Sequence, residues 1–201
     1  MEFPIRHGSE YICAKPCTLK TTLESFDEIM AACRELFRKK TMDYGTSWRI
    51  LRPASMTDQL YIKAKRIRSI EEKQQQKVED RVEDDYFGLI NYSIMALIQL
   101  ELPEDAPIEL PPEDAVARYD AKVALTRELL EAKNHDYGEA WRDMRIASMT
   151  DMILQKLLRV RQIEDNAGQT LVSEGLDANY LDIINYAIFA LIKLNEQNAS
   201  S

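Results

Sequence analysis

Glycine, cysteine and histidine are scarce in this 201-residue chain, which has six, three and two of them. Few glycines argue against a nucleotide fold built on glycine loops, where the backbone must approach phosphate closely. A sparse, odd number of cysteines is typical of a reducing compartment, so we expect a cytoplasmic protein. The longest apolar stretches, 89–100 and 183–194, are shorter than the roughly 20 residues that span a bilayer. They indicate buried core helices, and no membrane partner is expected.

Other absences narrow the function further. His7, Cys13 and Cys17 do not make a full set of four metal ligands, so no metal site is predicted there. The net charge of −8 disfavours a general nucleic-acid surface, and no direct contact with a duplex is expected. Neither a Ser–His–Asp arrangement nor a phosphate loop is present. If the chain is an enzyme, carboxylates and a metal must do the chemistry.

The most informative feature is an internal repeat. Residues 34–73 align with 127–166 at an offset of 93, with 20 identities in 40 positions. Residues 90–100 then align with 184–194 at an offset of 94, with 8 identities in 11. Two copies are too few for an open solenoid, so the duplication predicts a covalent pseudo-dimer closed about a pseudo-twofold axis. A further homo-oligomer remains open.

The repeat divides the chain into five segments. Unit 1 covers 24–101 and unit 2 covers 117–195. Between them lies a linker at 102–116, which holds four of the seven prolines. An N-terminal extension at 1–23 and a tail at 196–201 complete the chain.

The sequence of each unit predicts three helices. No strand is expected, because no segment alternates apolar and polar residues. In unit 1 the helices are expected at about 25–40, 55–73 and 80–100, and the third helix of unit 2 at about 173–196. Capping boxes are expected at Ser25–Glu28 and at Ser55–Asp58, with Ser148–Asp151 as the equivalent in unit 2. We therefore expect an all-α fold, a helical bundle with the two apolar third helices at its centre.

A loop after the first helix is kept in both units. Asp43 and Asp136 stand near a helix C-terminus, where the dipole disfavours a carboxylate. A hydrogen bond, a metal or a ligand amine would compensate. The tyrosine and tryptophan that follow either pack in the core or stack on a base, and the glycine between them is expected to end the helix.

Two further sets of charged residues are kept. Lys63 and Arg66, with Lys156 and Arg159, share one face of the second helix and form either a solvated face or a phosphate clamp. Asp182 interrupts an apolar helix, where a buried acid needs a divalent cation or a basic partner. Oxygen ligands of this kind suit Mg²⁺ or Mn²⁺.

These residues resemble the nucleotide modification associated domain family, which lies near the MazG-like all-α nucleotide pyrophosphatases. The motif is Lys-x-x-Asp-Tyr-Gly-x-x-Trp, then a helix bearing Lys and Arg, then Asp-x-x-Asn-Tyr-Ala. Unit 2 carries all of it, and unit 1 departs from it in having Gly88 at the position of Asp182 and Ser93 at the position of Ala187. The matching residues that would bind a nucleotide are Lys40, Asp43, Trp48, Lys63 and Arg66 in unit 1, and Lys133, Tyr137, Trp141, Lys156 and Arg159 in unit 2.

The resemblance implies a Mg²⁺-dependent pyrophosphohydrolase that releases pyrophosphate from a nucleoside triphosphate, or else a non-catalytic nucleotide-binding or interaction module. For the enzyme, Asp182, Glu164 and Asp136 would be catalytic. Because unit 2 keeps more acids, we expect it to hold the better metal site. Its ligands would be Glu128, Glu131, Glu164 and Asp182, with help from Asp85.

Overall fold

The computed structural model describes residues 20–103, 105–172 and 174–199, and over these ranges the chain is helical, without a β-strand. The predicted N-terminal extension, with His7, Cys13 and Cys17, lies largely outside the described residues. Each unit has three α-helices and a one-turn 3-10 helix between the first two. The α-helices are α1 (Thr22–Tyr44), α2 (Pro53–Lys73), α3 (Val82–Glu101), α4 (Pro112–Tyr137), α5 (Ile146–Asp165) and α6 (Leu176–Ala199), and the 3-10 helices are Ser47–Ile50 and Ala140–Asp143.

The all-α prediction is confirmed, but the predicted helix starts are wrong. The capping box of α1 is formed by Thr21 and Glu24, one turn before the predicted pair, because Thr-x-x-Glu fits the same pattern. Helix α2 begins at Pro53, whose fixed φ and missing N–H suit the first helical position. Ser55 is therefore already inside the helix and does not cap it.

The segment between the units packs against unit 1. Helix α4 begins at Pro112, inside the expected 102–116 segment. The hydroxyl of Thr46 donates to the carbonyl of Ile108 at 2.7 Å and accepts from the N–H of Leu110 at 2.9 Å. These bonds fix the turn after α1, which forms one edge of the site described below.

Helices α3 and α6 pack against each other in the core, as predicted, and α2 packs on α5. Helix α1 pairs with α4 beside them. Most side chains of α3 and α6 are buried. Three tyrosines are completely buried, one each on α3, α4 and α6: Tyr86, Tyr119 and Tyr180. No helix in the described ranges has the length and apolar character needed to cross a bilayer.

Three polar contacts from unit 1 to unit 2 are each matched by a contact between the equivalent residues in the opposite direction. The pairs are Arg34–Asp120 with Asp27–Arg127, Thr57–Glu164 with Glu71–Thr150, and Asp58–Arg161 with Arg68–Asp151. An interface between copies related by a twofold axis produces such pairs. The matched contacts favour the pseudo-twofold arrangement, which stays a prediction. They also show that Asp58 and Asp151 form ion pairs between the units and do not cap helices.

Candidate functional site

Unit 1 contains a pocket of about 660 Å³ between the end of α1, the first 3-10 helix, α2 and α3. Two lysines reach it, Lys40 from α1 and Lys63 from α2. Its other polar groups come mainly from α3 and the loop before it. Aromatic side chains form much of the remaining wall: Phe37, Tyr44, Trp48, Phe87 and Tyr92.

The turn after α1 positions the aromatic wall. Gly45 has a φ of +66°, which an L residue adopts only with strain, and it ends α1 at Tyr44. The glycine prediction is therefore confirmed, and Gly138 ends α4 in the same way with a φ of +61°. The 3-10 helix that follows places Trp48 at the pocket. The indole N–H groups of Trp48 and Trp141 are both buried and have no hydrogen-bond partner among the described residues.

The two lysines of the pocket are weakly engaged. Lys40 is exposed and forms no ion pair within the described ranges. The ammonium of Lys63 is 3.6 Å from a carboxylate oxygen of Asp85, but Arg66 is the closer partner of that acid. Neither lysine therefore has a close protein counter-ion, although Asp80 and Asp84 also line the pocket.

Unit 2 fills the equivalent position with its own carboxylate. Asp182 accepts from the ammonium groups of both Lys133 and Lys156, at 2.5 Å each. Burial by itself would raise the pKa of Asp182, but the hydrogen bonds from the two lysines outweigh it and hold the pKa below its ordinary value. The basic partner that a buried acid requires is thus supplied by α4 and α5.

A second difference lies two helical turns further on. In unit 2 the ring of Phe189 stacks on Trp141, with centroids 4.5 Å apart and an interplanar angle of 4°. The guanidinium of Arg142 lies 4.5 Å from the centroid of the same indole. Unit 1 has Met95 in place of Phe189, and Met95 lines the pocket.

Comparison with family models gives a match to nucleotide modification associated domain 1 over residues 40–100 and 133–194. The chain belongs to this family. Among curated proteins and among solved structures, no match to the chain is found. The first matched segment begins at Lys40 and includes every wall residue of the pocket except Leu36 and Phe37, so the pocket belongs to the first copy of nucleotide modification associated domain 1.

The structure does not bring the predicted metal ligands together. No group of three or more His, Cys, Asp or Glu side chains that could hold a metal occurs in the described part of the chain. Glu164 accepts from Thr57 at 2.8 Å at the junction of the units, while Asp85 pairs with Arg66. Glu128 is exposed on α4, and Glu131 lies 3.5 Å from Arg127. Lysine, arginine or threonine side chains engage Asp182, Asp85, Glu131 and Glu164 instead, and the five-carboxylate centre stays a prediction.

The remaining predicted residues divide in two. Lys40, Trp48 and Lys63 line the pocket of unit 1, while their equivalents in unit 2 contact Asp182 or Phe189. The others lie outside the pocket lining: Asp43, Asp136, Tyr137, Arg66 and Arg159. Asp43 and Asp136 are exposed, and the carboxylate of Asp136 is 3.1 Å from the imidazole of His135. Water can solvate both acids at the helix ends, which removes the need for a ligand there.

Sequence reasoning missed the residues that open the site. Gly88 was interpreted as the loss of an acid, and Met95 was not considered. Both line the pocket, as does buried Asn91, whose side-chain oxygen accepts from the hydroxyl of Tyr119 at 2.8 Å. A glycine inside an apolar helix is itself a signal of close approach by another group. Here the aliphatic end of Lys63 lies so near that a Cβ at position 88 would be 2.6 Å from its Cε.

Proposed function

We propose that the first copy of nucleotide modification associated domain 1 binds a nucleotide in the pocket of unit 1. The phosphates bind Lys40 and Lys63, and the base lies against Trp48. One observation carries the proposal: unit 2 holds a carboxylate between the equivalent lysines and a flat ring on the equivalent indole. The related site therefore accepts an anion and an aromatic ring together, which is the combination that a nucleotide offers.

The pocket has the chemistry for this ligand. Lysine ammonium groups bind phosphate as point charges. Stacking of a base on an aromatic side chain contributes about 1–3 kcal/mol and tolerates any base. A volume of about 660 Å³ is within the range of small-molecule sites. The description of the family, which links it to nucleotide modification, supports the same ligand class.

The proposal is a binding function, not a hydrolysis. A pyrophosphohydrolase of the kind implied by the resemblance requires Mg²⁺ held by clustered carboxylates, and the described residues do not fit such a centre. Asp182, a main ligand of the predicted metal centre, already forms ion pairs with two lysines. Hydrolysis of a triphosphate therefore stays a prediction from the resemblance.

The test is a calorimetric titration with a panel of nucleoside monophosphates and triphosphates, once with Mg²⁺ and once with EDTA. We expect binding that weakens with added salt, since exposed lysines contribute the charge. Lys63→Met should weaken binding strongly. Lys65→Met is the matched control, because Lys65 is an exposed lysine on the same helix outside the pocket lining. Absence of binding across the panel, or equal losses from both variants, would reject the proposal.

The same samples should be assayed for pyrophosphate release. Turnover that requires Mg²⁺ would favour the hydrolase, whereas binding without turnover favours the binding module. With either result, the location of the site is decided by the nucleotide affinities of Lys63→Met and Lys65→Met.

A further inference from the structure

The two units differ at two positions that contact opposite ends of the site. At one end, unit 2 has Asp182 where unit 1 has Gly88. At the other end, unit 2 has Phe189 where unit 1 has Met95. The lysines and the tryptophan that they contact are the same in both units. The divergence at these two positions therefore changes what fills the site, while the two lysines and the tryptophan are kept.

We infer that unit 2 is a self-occupied copy of the binding site, so that each chain binds one nucleotide, in unit 1. The carboxylate of Asp182 takes the place of a ligand's anionic group, and the ring of Phe189 takes the place of its base. This inference rests on the proposed function of unit 1. It goes beyond that function by assigning a structural role to the second copy.

Electrostatics keeps the second site closed. A phosphate entering unit 2 would have to displace Asp182 from two hydrogen bonds of 2.5 Å with Lys133 and Lys156. These bonds join oppositely charged groups, which are the strong kind. A displaced carboxylate would remain beside the phosphate and repel it. In unit 1 no such step is required, since Gly88 has no side chain.

The aromatic end is closed by packing. Trp141 is buried beneath the stacked ring of Phe189, whereas Trp48 is only partly buried. Stacked rings at this distance are favourable beyond their area burial. Met95 is unbranched and adaptable, so it can move aside for a ligand in a way that a stacked ring cannot.

The chain offers a site-resolved assay, because it has two tryptophans and each unit holds one. Trp141→Phe leaves Trp48 as the only tryptophan, and Trp48→Phe leaves Trp141. The probe is an equimolar mixture of nucleoside monophosphates and triphosphates, added while tryptophan emission is recorded. We expect the emission of Trp48 to change in a saturable way and that of Trp141 to stay constant. A saturable response of Trp141 in the otherwise native chain would overturn the inference.

Two exchange variants test the cause. Asp182→Ala with Phe189→Met, in the Trp48→Phe background, should open unit 2 and give Trp141 a response. Gly88→Asp with Met95→Phe, in the Trp141→Phe background, should close unit 1 and abolish the response of Trp48. If the variant with Asp182→Ala and Phe189→Met does not fold, the variant with Gly88→Asp and Met95→Phe is sufficient by itself. An unchanged emission response of Trp48 in that variant would overturn the inference. A silent Trp48 in the native background would instead reject the proposed function, and the inference with it.

Discussion

Replacing Asp182 with asparagine distinguishes two roles for this acid, one in stabilising the fold and the other in binding a metal. The substitution keeps the shape of the side chain and removes its charge. Lys156, whose side chain is 9% exposed, then loses its counter-ion in a buried place. Lys133, whose side chain is 42% exposed, can turn to water.

The expected loss follows from these exposures. Removing one partner of a buried ion pair costs about 3–5 kcal/mol, and an exposed pair contributes about 0–1 kcal/mol. Because the asparagine oxygen can still accept one bond from Lys156, we expect about 3 kcal/mol, near the lower limit for the buried pair. For a chain of this size that loss lowers the melting temperature by about 6–12 °C.

Urea unfolding at neutral pH, followed by circular dichroism, measures this difference. Lys133→Met is the control and should cost less than about 1 kcal/mol. The pKa of Asp182 is lowered in the folded state, so its contribution is present above the unfolded value of about 3.9 and is lost as the pH falls through the folded pKa. The wild type and Asp182→Asn should therefore converge in acid. A loss below about 0.5 kcal/mol at neutral pH, within the range typical of surface substitutions, would refute the structural role.

Three further predictions concern the junction of the units, the turn and the pocket wall. Burial raises the pKa of Glu71 and Glu164, so their contribution to stability is full below the unfolded pKa of about 4.3 and is lost as the pH rises through the folded pKa. Changing both residues to glutamine should therefore increase the stability of the variant relative to wild type as the pH rises from 4 to 7, as measured by urea unfolding. A stability difference that does not change with pH would contradict this. Gly138→Ala should cost about 1–2 kcal/mol from its positive φ alone. Gly45→Ala should cost a similar amount, because the group that its Cβ would meet is the carboxylate at the flexible end of Glu109, which can move aside. A clearly larger loss for Gly45→Ala in thermal unfolding would show that the bond from the Thr46 N–H holds Glu109 in place. Trp48→Ala should weaken nucleotide binding by about 1–3 kcal/mol in a calorimetric titration, and unchanged affinity would exclude stacking on this ring.

The repeat made much of the fold predictable. The constant offset and the two apolar runs indicated six α-helices with α3 against α6, and the structure has that arrangement. The helix starts were less predictable, because Thr21-x-x-Glu24 and Ser25-x-x-Glu28 both satisfy the capping pattern. Only the packed structure selects between them.

The site was harder to predict for a physical reason. An acid within an apolar helix demands a positive partner, and the sequence left a divalent cation and a basic side chain open for Asp182. Its actual partners come from α4 and α5, 49 and 26 residues away in sequence, at distances that periodicity does not encode. The site of unit 1 could be found only by asking which group the missing side chain of Gly88 allows to approach, whereas sequence reasoning asked which acids are present.

The most direct test of the central claim is a crystal structure of the chain with the nucleotide that binds best in the calorimetric panel. The account predicts one nucleotide per chain, in the pocket of unit 1. Its phosphate oxygens should lie within hydrogen-bond distance of Lys40 and Lys63, with its base on Trp48 and Asp182 still bound to its two lysines. A nucleotide seated on Lys133 and Lys156 in unit 2, with Asp182 displaced, would contradict it.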